Sequence, residues 1–423
     1  MLDLRTAGTR TLKVLMSAPF IGRTPRAVED TRHQTAEAFS ASVQFPICED
    51  TDEDRTRREM IEAGQFYARQ DRWDDLAELI RSHDAARSAT ASGMAISRLL
   101  SYGARADVVQ PVEAALSDPG LMAAHAPKGG LAALEEVLED EPEDYGLALV
   151  VAEAHVDIGW AWRGQGWNAE IPERNWQAFQ DHFARAADIL DAFDPFEHNS
   201  PALAALRCAL LVADRVPQDR VADDYEDLID LDPANPRHLR SLGYHLLPRW
   251  FGTYDRLEAE AARTAERQSD IWGPDGAYTW VYLDALSVDP GALEQLDVVR
   301  FERGMRDILA ERPDQHSANQ FAAWCAVSLS DGRFHNVAQK AKVQALARAF
   351  DWILEDHLRE IHPMLWGMAA HAPQEMPGSL PDLAREGRTQ ALLRLGRYFE
   401  KDLKRGGRLM ASDAGVWIEP QGV

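Results

Sequence analysis

The sequence is short of cysteine: Cys48, Cys208 and Cys325 are all it has in 423 residues. The number is odd, the spacings are wide and no C-x-x-C occurs, so neither a disulfide framework nor a zinc site held by clustered cysteines is expected. Cys208 and Cys325 sit in apolar helical wording (ALRCALL and AAWCAVS) and read as core packing. No uninterrupted apolar run approaches the ~20 residues of a membrane span. The apolar patch from Leu12 to Ile21 is broken by Ser17 and Pro19, lacks an A-x-A cleavage site and is followed by Arg23 and Arg26. A cytoplasmic protein without a membrane partner is expected.

Basic side chains are also scarce. Lys and Arg number 45 against 69 Asp and Glu, a net charge of −24. An acidic surface repels phosphate, so no nucleic-acid partner is expected, and it suits anionic lipid equally poorly. The shortage is local. Residues 1–46 carry six basic and four acidic side chains, and residues 382–408 carry eight and four. Both ends lean positive around a negative middle that would suit a basic partner.

Catalytic signatures are absent too: no P-loop, no G-x-G-x-x-G after a strand, no G-x-S-x-G and no kinase set. No catalytic residue and no cofactor is assigned. The densest acidic run, Glu135 to Asp144, lacks EF-hand spacing and reads as a solvated helix face.

What is present is helix. Strand-like alternation is rare, and turn signals cut the chain into helical lengths. Residues 1–54 read as an irregular arm with a short helix near Val28–Ser40, residues 55–405 as a helical-repeat domain and residues 406–423 as a tail. Within the domain the helices come in pairs: residues 59–69 with a helix opened by Trp73, 147–162 with 176–193, 201–213 with 221–231, 237–247 with 254–267, and 317–329 with 336–350. Asp194-Pro195, Asp232-Pro233 and Asp289-Pro290 end helices, because proline lacks a donor and disfavours helix in the residue before it. Those prolines are 38 and 57 residues apart, against about 34 in a regular tetratricopeptide array. The expected fold is all-α, a degenerate tetratricopeptide-like α-solenoid of antiparallel helix pairs.

Two segments stand out. Residues 155–176 hold Trp160, Trp162, Trp167 and Trp176 with Arg163, Gly164 and Gly166 at the junction of one helix pair. Aromatics beside an arginine can line a recognition groove through stacking and cation–π contact. Residues 244–257 place Tyr244 and His245 before Pro248, and Arg249 and Trp250 on the following loop, where binding side chains concentrate. The wording A-W-x-R-G-x-G-W (Ala161, Trp162, Arg163, Gly164, Gly166), the W-x-x-F-x-x-x-F helix (Trp176, Phe179, Phe183) and L-P-R-W-x-G (Leu247, Pro248, Arg249, Trp250, Gly252) resemble a bacterial family of tetratricopeptide-like helical proteins, classed as a domain of unknown function. The resemblance covers about residues 130–270, and Phe251 departs from the family's wording. It implies a helical-repeat fold and carries no activity.

Histidine spacing supplies no metal site. His357 and His362 in H-x-x-E-x-H are five apart, whereas zincins need i and i+4 on one face. The functional expectation is therefore a non-catalytic interaction protein. It would bind a protein or peptide partner, a basic one suiting the charge, through Trp160, Trp162, Arg163, Trp167, Trp176, Tyr244, His245, Arg249 and Trp250. The alternative is a hydrolase whose tryptophan-lined pocket contains His245, or His155 with Asp157.

Overall fold

The computed structural model describes residues 42–117, 129–164, 171–330, 334, 338–371 and 379–420. The chain is all-α, with tightly packed adjacent helices and one small sheet. No helix among the described residues is long and apolar enough to cross a membrane. The expected helix near Val28–Ser40 lies outside the described residues, as do Gly166 and Trp167. The chain divides into two compact units, Asp52–Leu246 and a second made of Met1–Thr51 with Leu247–Val423.

The first unit contains α1 (Asp52–Arg69), α2 (Trp73–Ala85), α3 (Ile96–Ser117), α4 (Gly129–Asp140), α5 (Tyr145–Arg163), α6 (Glu173–Leu190), α7 (Pro201–Leu210), α8 (Pro217–Leu231) and α9 (Pro236–His245). α5 is its axis. From Tyr145 to Val156 every residue is buried, so this helix is enclosed on all sides and packs on α6, α3, α2, α4 and α7. Asp144 caps it by accepting from the Gly146 and Leu147 amides, and Gly164, with φ of 70°, closes it after Arg163. α6 presents Phe179, Phe183, Ala186, Ile189 and Leu190 to it, the stripe that its sequence spacing predicts.

The α7–α8 pair also forms where it was expected. At the Leu-Asp-Pro-Ala-Asn-Pro junction, α8 ends at Leu231 and Asn235 caps α9, accepting from the Arg237 amide with Pro236 in the first turn. The first expected pair is different. α1 packs chiefly against α3 rather than against its sequence neighbour α2. Gly64 of α1 lies on the Leu100 carbonyl of α3, and Gly103 of α3 lies on the Ile61 carbonyl of α1. Two glycines facing each other's backbones bring these helix axes together, a long-range effect that periodicity does not report.

The second unit contains β1 (Val43–Gln44), α10 (Tyr254–Arg267), α11 (Ser269–Val288), α12 (Val298–Glu311), α13 (Gln315–Ala326), α14 (Lys340–Asp356), α15 (Pro363–Ala369), α16 (Leu380–Tyr398), α17 (Glu400–Leu403), β2 (Arg408–Ser412) and β3 (Gly415–Glu419). α13 and α14 form the pair that the sequence predicts. The closest packing is α11 on α12 and α15 on α16. β2 and β3 make an antiparallel hairpin with Leu409 opposite Ile418, and β1 adds parallel to β2 with Val43 opposite Leu409. These strands are two to five residues long, too short for alternation to be legible.

Candidate functional site

A cavity of about 440 Å³ is walled by α3, α4, α5 and α6 of the first unit. That volume lies within the roughly 300–1,000 Å³ typical of ligand sites. The positions of its lining residues follow from helical geometry. His155, Ile158 and Trp162 recur at i, i+3 and i+7 on α5, and Ala178, Asp181, His182 and Arg185 share one face of α6. α4 contributes Leu131, Ala132 and Glu135, and α3 contributes Val112. The walls are mostly apolar, and Glu135, His155, His182 and Arg185 meet in one polar cluster.

There, His155 Nδ1 lies 3.0 Å from His182 Nδ1. Glu135 Oε1 accepts from Arg185 Nε at 2.9 Å and lies 3.4 Å from His155 Nε2, an electrostatic contact not aligned as a hydrogen bond. Burial, then the neighbouring His182, pushes the His155 imidazole down to about 4. Burial lowers His182 as well. Both rings are therefore neutral near pH 7, and one Nδ1–H donates to the other Nδ1. Asp181 accepts from Gln177 Nε2 at 2.7 Å.

A second cavity, of about 70 Å³, lies on the other side of α5. It has room for a few waters rather than an organic ligand. Its wall holds Arg105, which donates to Glu153 Oε2 at 2.8 Å, to Asp157 Oδ2 at 2.7 Å and to Ser101 Oγ at 2.9 Å. The Arg105 side chain is 3% exposed. Burial opposes its charge, but Asp157 and Glu153 outweigh burial and raise its pKa. This is a closed ionic network holding α3 to α5.

The residues singled out in the sequence separate on this scaffold. Trp162 lines the large pocket. Trp160 instead packs edge-on against Phe179 and Phe183, at 5.3 and 5.8 Å between ring centres, and carries the Arg163 guanidinium 5.5 Å above its ring. Trp176 stacks on Phe179 at 5.3 Å. His155 enters the pocket, whereas Asp157 turns to Arg105. His245 lies in neither cavity. Its Nδ1 meets Tyr225 Oη at 2.8 Å and the Ser241 carbonyl at 3.0 Å, Tyr244 packs edge-on against its ring, and burial pushes its pKa down to about 4. Arg249 and Trp250 belong to the second unit, where Trp250 packs against Phe251 at 5.8 Å.

No protein-family model, curated protein or solved structure matches the chain. Sequence reasoning missed Glu135, Asp181, His182 and Arg185 as pocket residues. The shared face of the α6 residues was visible in their spacing, but a polar helix face usually meets water, and nothing local marks this one as a cavity wall.

Proposed function

We propose that the first unit is a binding module that captures a basic segment of a protein or peptide partner. The observation that carries this reading is that Trp162, Glu135 and Asp181 line one 440 Å³ pocket. The unit around it holds 37 acidic and 18 basic side chains, so −19 of the chain's −24 resides there. A lysine or arginine entering the pocket would find an indole face for cation–π contact. Arg185 already engages Glu135, which leaves Asp181 as the counter-ion for the guest. The neutral histidine pair, its two Nδ1 atoms spent on each other, keeps one Nε2 acceptor and does not repel a cation. The surrounding negative field would steer a basic partner and make association salt-dependent.

The tetratricopeptide-like reading of the helix pairs supports the same role, since such stacks commonly serve interaction. Cysteine usage suits the cytoplasm: Cys208 and Cys325 are buried thiols whose pKa values burial pushes up. The hydrolase alternative has less support. His155 lies in the pocket, but its partners there are His182 and Glu135, and no serine, threonine or cysteine is among the residues lining it.

Fluorescence anisotropy with labelled Arg- and Lys-rich peptides, and with Gln-substituted versions of them, tests the proposal. Binding should favour the basic peptides, weaken as salt rises, and fall about tenfold (roughly 1.4 kcal/mol) in Trp162→Ala and in Asp181→Asn. Equal binding of basic and Gln-substituted peptides, or affinity indifferent to both variants, would reject it.

A further inference from the structure

In the second unit, Cys48, Glu360 and His362 each place a potential ligand atom within 4.8 Å of the other two. Cys48 and His362 are more than 300 positions apart in sequence, and the fold joins them through backbone pairing. Ile47 and Ile361 form a parallel bridge. The Cys48 amide donates to the Ile361 carbonyl at 2.9 Å, and the Ile361 amide donates to the Pro46 carbonyl at 2.8 Å.

The Glu360 and His362 side of the cluster is pinned from α13. Asn319 is fully buried. Its Oδ1 accepts from the His362 amide and from Trp366 Nε1, both at 2.9 Å, and its Nδ2 donates to the Glu360 carbonyl at 2.9 Å. Gln315 Oε1 accepts from the Glu360 amide at 3.3 Å. The ligand-bearing backbone is thus fixed by side chains that take no part in ligation, the supporting arrangement that metal sites require.

His362 is only 7% exposed. Its Nε2 lies 2.8 Å from Glu360 Oε1, and its Nδ1 is buried without a hydrogen-bond partner. A buried imidazole nitrogen left unused is costly. Cys48 Sγ lies 3.7 Å from the Asp50 carbonyl.

We propose that Cys48, Glu360 and His362 bind a zinc ion. Thiolate, imidazole and carboxylate together are a zinc donor set: calcium and magnesium reject sulfur, and copper(I) disfavours the carboxylate. Tetrahedral zinc holds such donors roughly 3.5 Å apart, so binding needs only small adjustments: separations of up to 4.8 Å close, and the 2.8 Å contact between Glu360 and His362 opens. Three protein ligands leave the fourth position to water or to a small exogenous donor. On binding, the Cys48 thiol loses its proton to solvent and becomes a thiolate. The ion would clasp the 43–48 strand segment to the start of α15. The H-x-x-E-x-H spacing misses this site because its third ligand is remote, and His357 is not part of it: that ring packs edge-on against Trp352 at 5.6 Å.

The test is titration of the chelator-stripped full chain with Zn²⁺, with Co²⁺ as a spectroscopic probe. We expect one zinc per chain, a thiolate-to-cobalt charge-transfer band, and a melting temperature that rises with zinc. Cys48→Ser should abolish the band and should weaken zinc binding beyond the roughly 10–100-fold that loss of a supporting partner costs. Glu360→Gln should weaken binding, and His357→Ala should leave it unchanged. Should His362→Gln fail to fold, the Cys48 and Glu360 variants still decide. Absence of stoichiometric zinc uptake, a cobalt spectrum without the thiolate band, or equal uptake by the wild type and Cys48→Ser would overturn the assignment.

Discussion

His155 Nδ1 lies 3.0 Å from His182 Nδ1 across the seam between α5 and α6. Two protonated imidazoles could not share that contact, and burial already disfavours the charged form of each. The pair therefore ties stability to pH. In an unfolded chain histidine titrates near 6.5, whereas His155 is held down to about 4. Above about pH 6.5 the ring is neutral in both states and contributes no pH dependence. As pH falls from about 6.5 towards 4, the unfolded chain takes up a proton that the folded chain refuses, so stability falls. The loss should be on the order of 2–3 kcal/mol for His155 at the bottom of that window. His245, also pushed down to about 4, acts in the same direction. Urea denaturation at about pH 7.5 and about pH 5 measures the difference, and His155→Gln should reduce it. An unchanged pH response in His155→Gln would show that the pair is not coupled to folding in this way.

The crossing of α1 and α3 makes a second prediction, with a sign opposite to helix propensity. Alanine is normally better than glycine inside a helix by about 1 kcal/mol. At Gly64 and Gly103 the added methyl would run into the backbone carbonyls of Leu100 and Ile61, which cannot rotate away. Gly64→Ala and Gly103→Ala should each destabilise the protein by about 2 kcal/mol or more, the usual scale of overpacking. Gly129→Ala at the start of α4 meets nothing within 4 Å and serves as the control, neutral or slightly stabilising. Denaturant midpoints of the three variants give the answer, and a stable Gly64→Ala would mean that the helices do not approach this closely.

The Arg105 network yields a third. Removing Arg105 leaves the Glu153 and Asp157 carboxylates in a largely enclosed wall without their shared partner, with Arg98, 3.6 Å from Glu153, offsetting part of the charge. Breaking a buried ion pair by deleting one partner costs about 3–5 kcal/mol, whereas replacing the whole group with neutral residues costs far less. Arg105→Ala should therefore be much less stable than the triple variant Arg105→Met, Glu153→Gln, Asp157→Asn. If calorimetry ranks the two the other way, the network contributes attraction beyond relief of buried charge.

Helical class, the punctuation at Asp-Pro junctions and the α5–α6 and α7–α8 pairs were legible because each is a local property of proline, capping residues or a 3.6-residue period. The α1–α3 crossing was not, since it depends on two glycines 39 positions apart meeting each other's backbones. The candidate pocket was legible in part. Trp162 and His155 were visible as unusual residues in an apolar helix, but their α6 and α4 partners were hidden among a surplus of ordinary surface charge. Grouping His155 with Asp157 ignored an angle that the sequence already contained: residues two apart on a helix point about 200° away from each other. The Cys48 contact to Glu360 and His362 has no sequence signature, because a strand-like bridge between remote segments creates it.

The same angle separates Trp160 from Trp162 and gives the last prediction. Trp160 faces the seam, where its edge meets Phe179 and Phe183, both almost completely buried. Trp162 faces the pocket. Truncating the first should open a gap beside packed aromatics and cost about 2–4 kcal/mol. Truncating the second, which packs on the core but also borders the pocket, should cost less stability than the first, whereas affinity for basic peptides should fall. Trp160→Ala and Trp162→Ala therefore separate folding from recognition within one W-A-W triplet. Paired measurements of denaturant midpoint and peptide anisotropy on both variants test this. Should Trp162→Ala lose stability as Trp160→Ala does while binding stays intact, Trp162 would be a packing residue and the pocket would lose its aromatic wall as a recognition element.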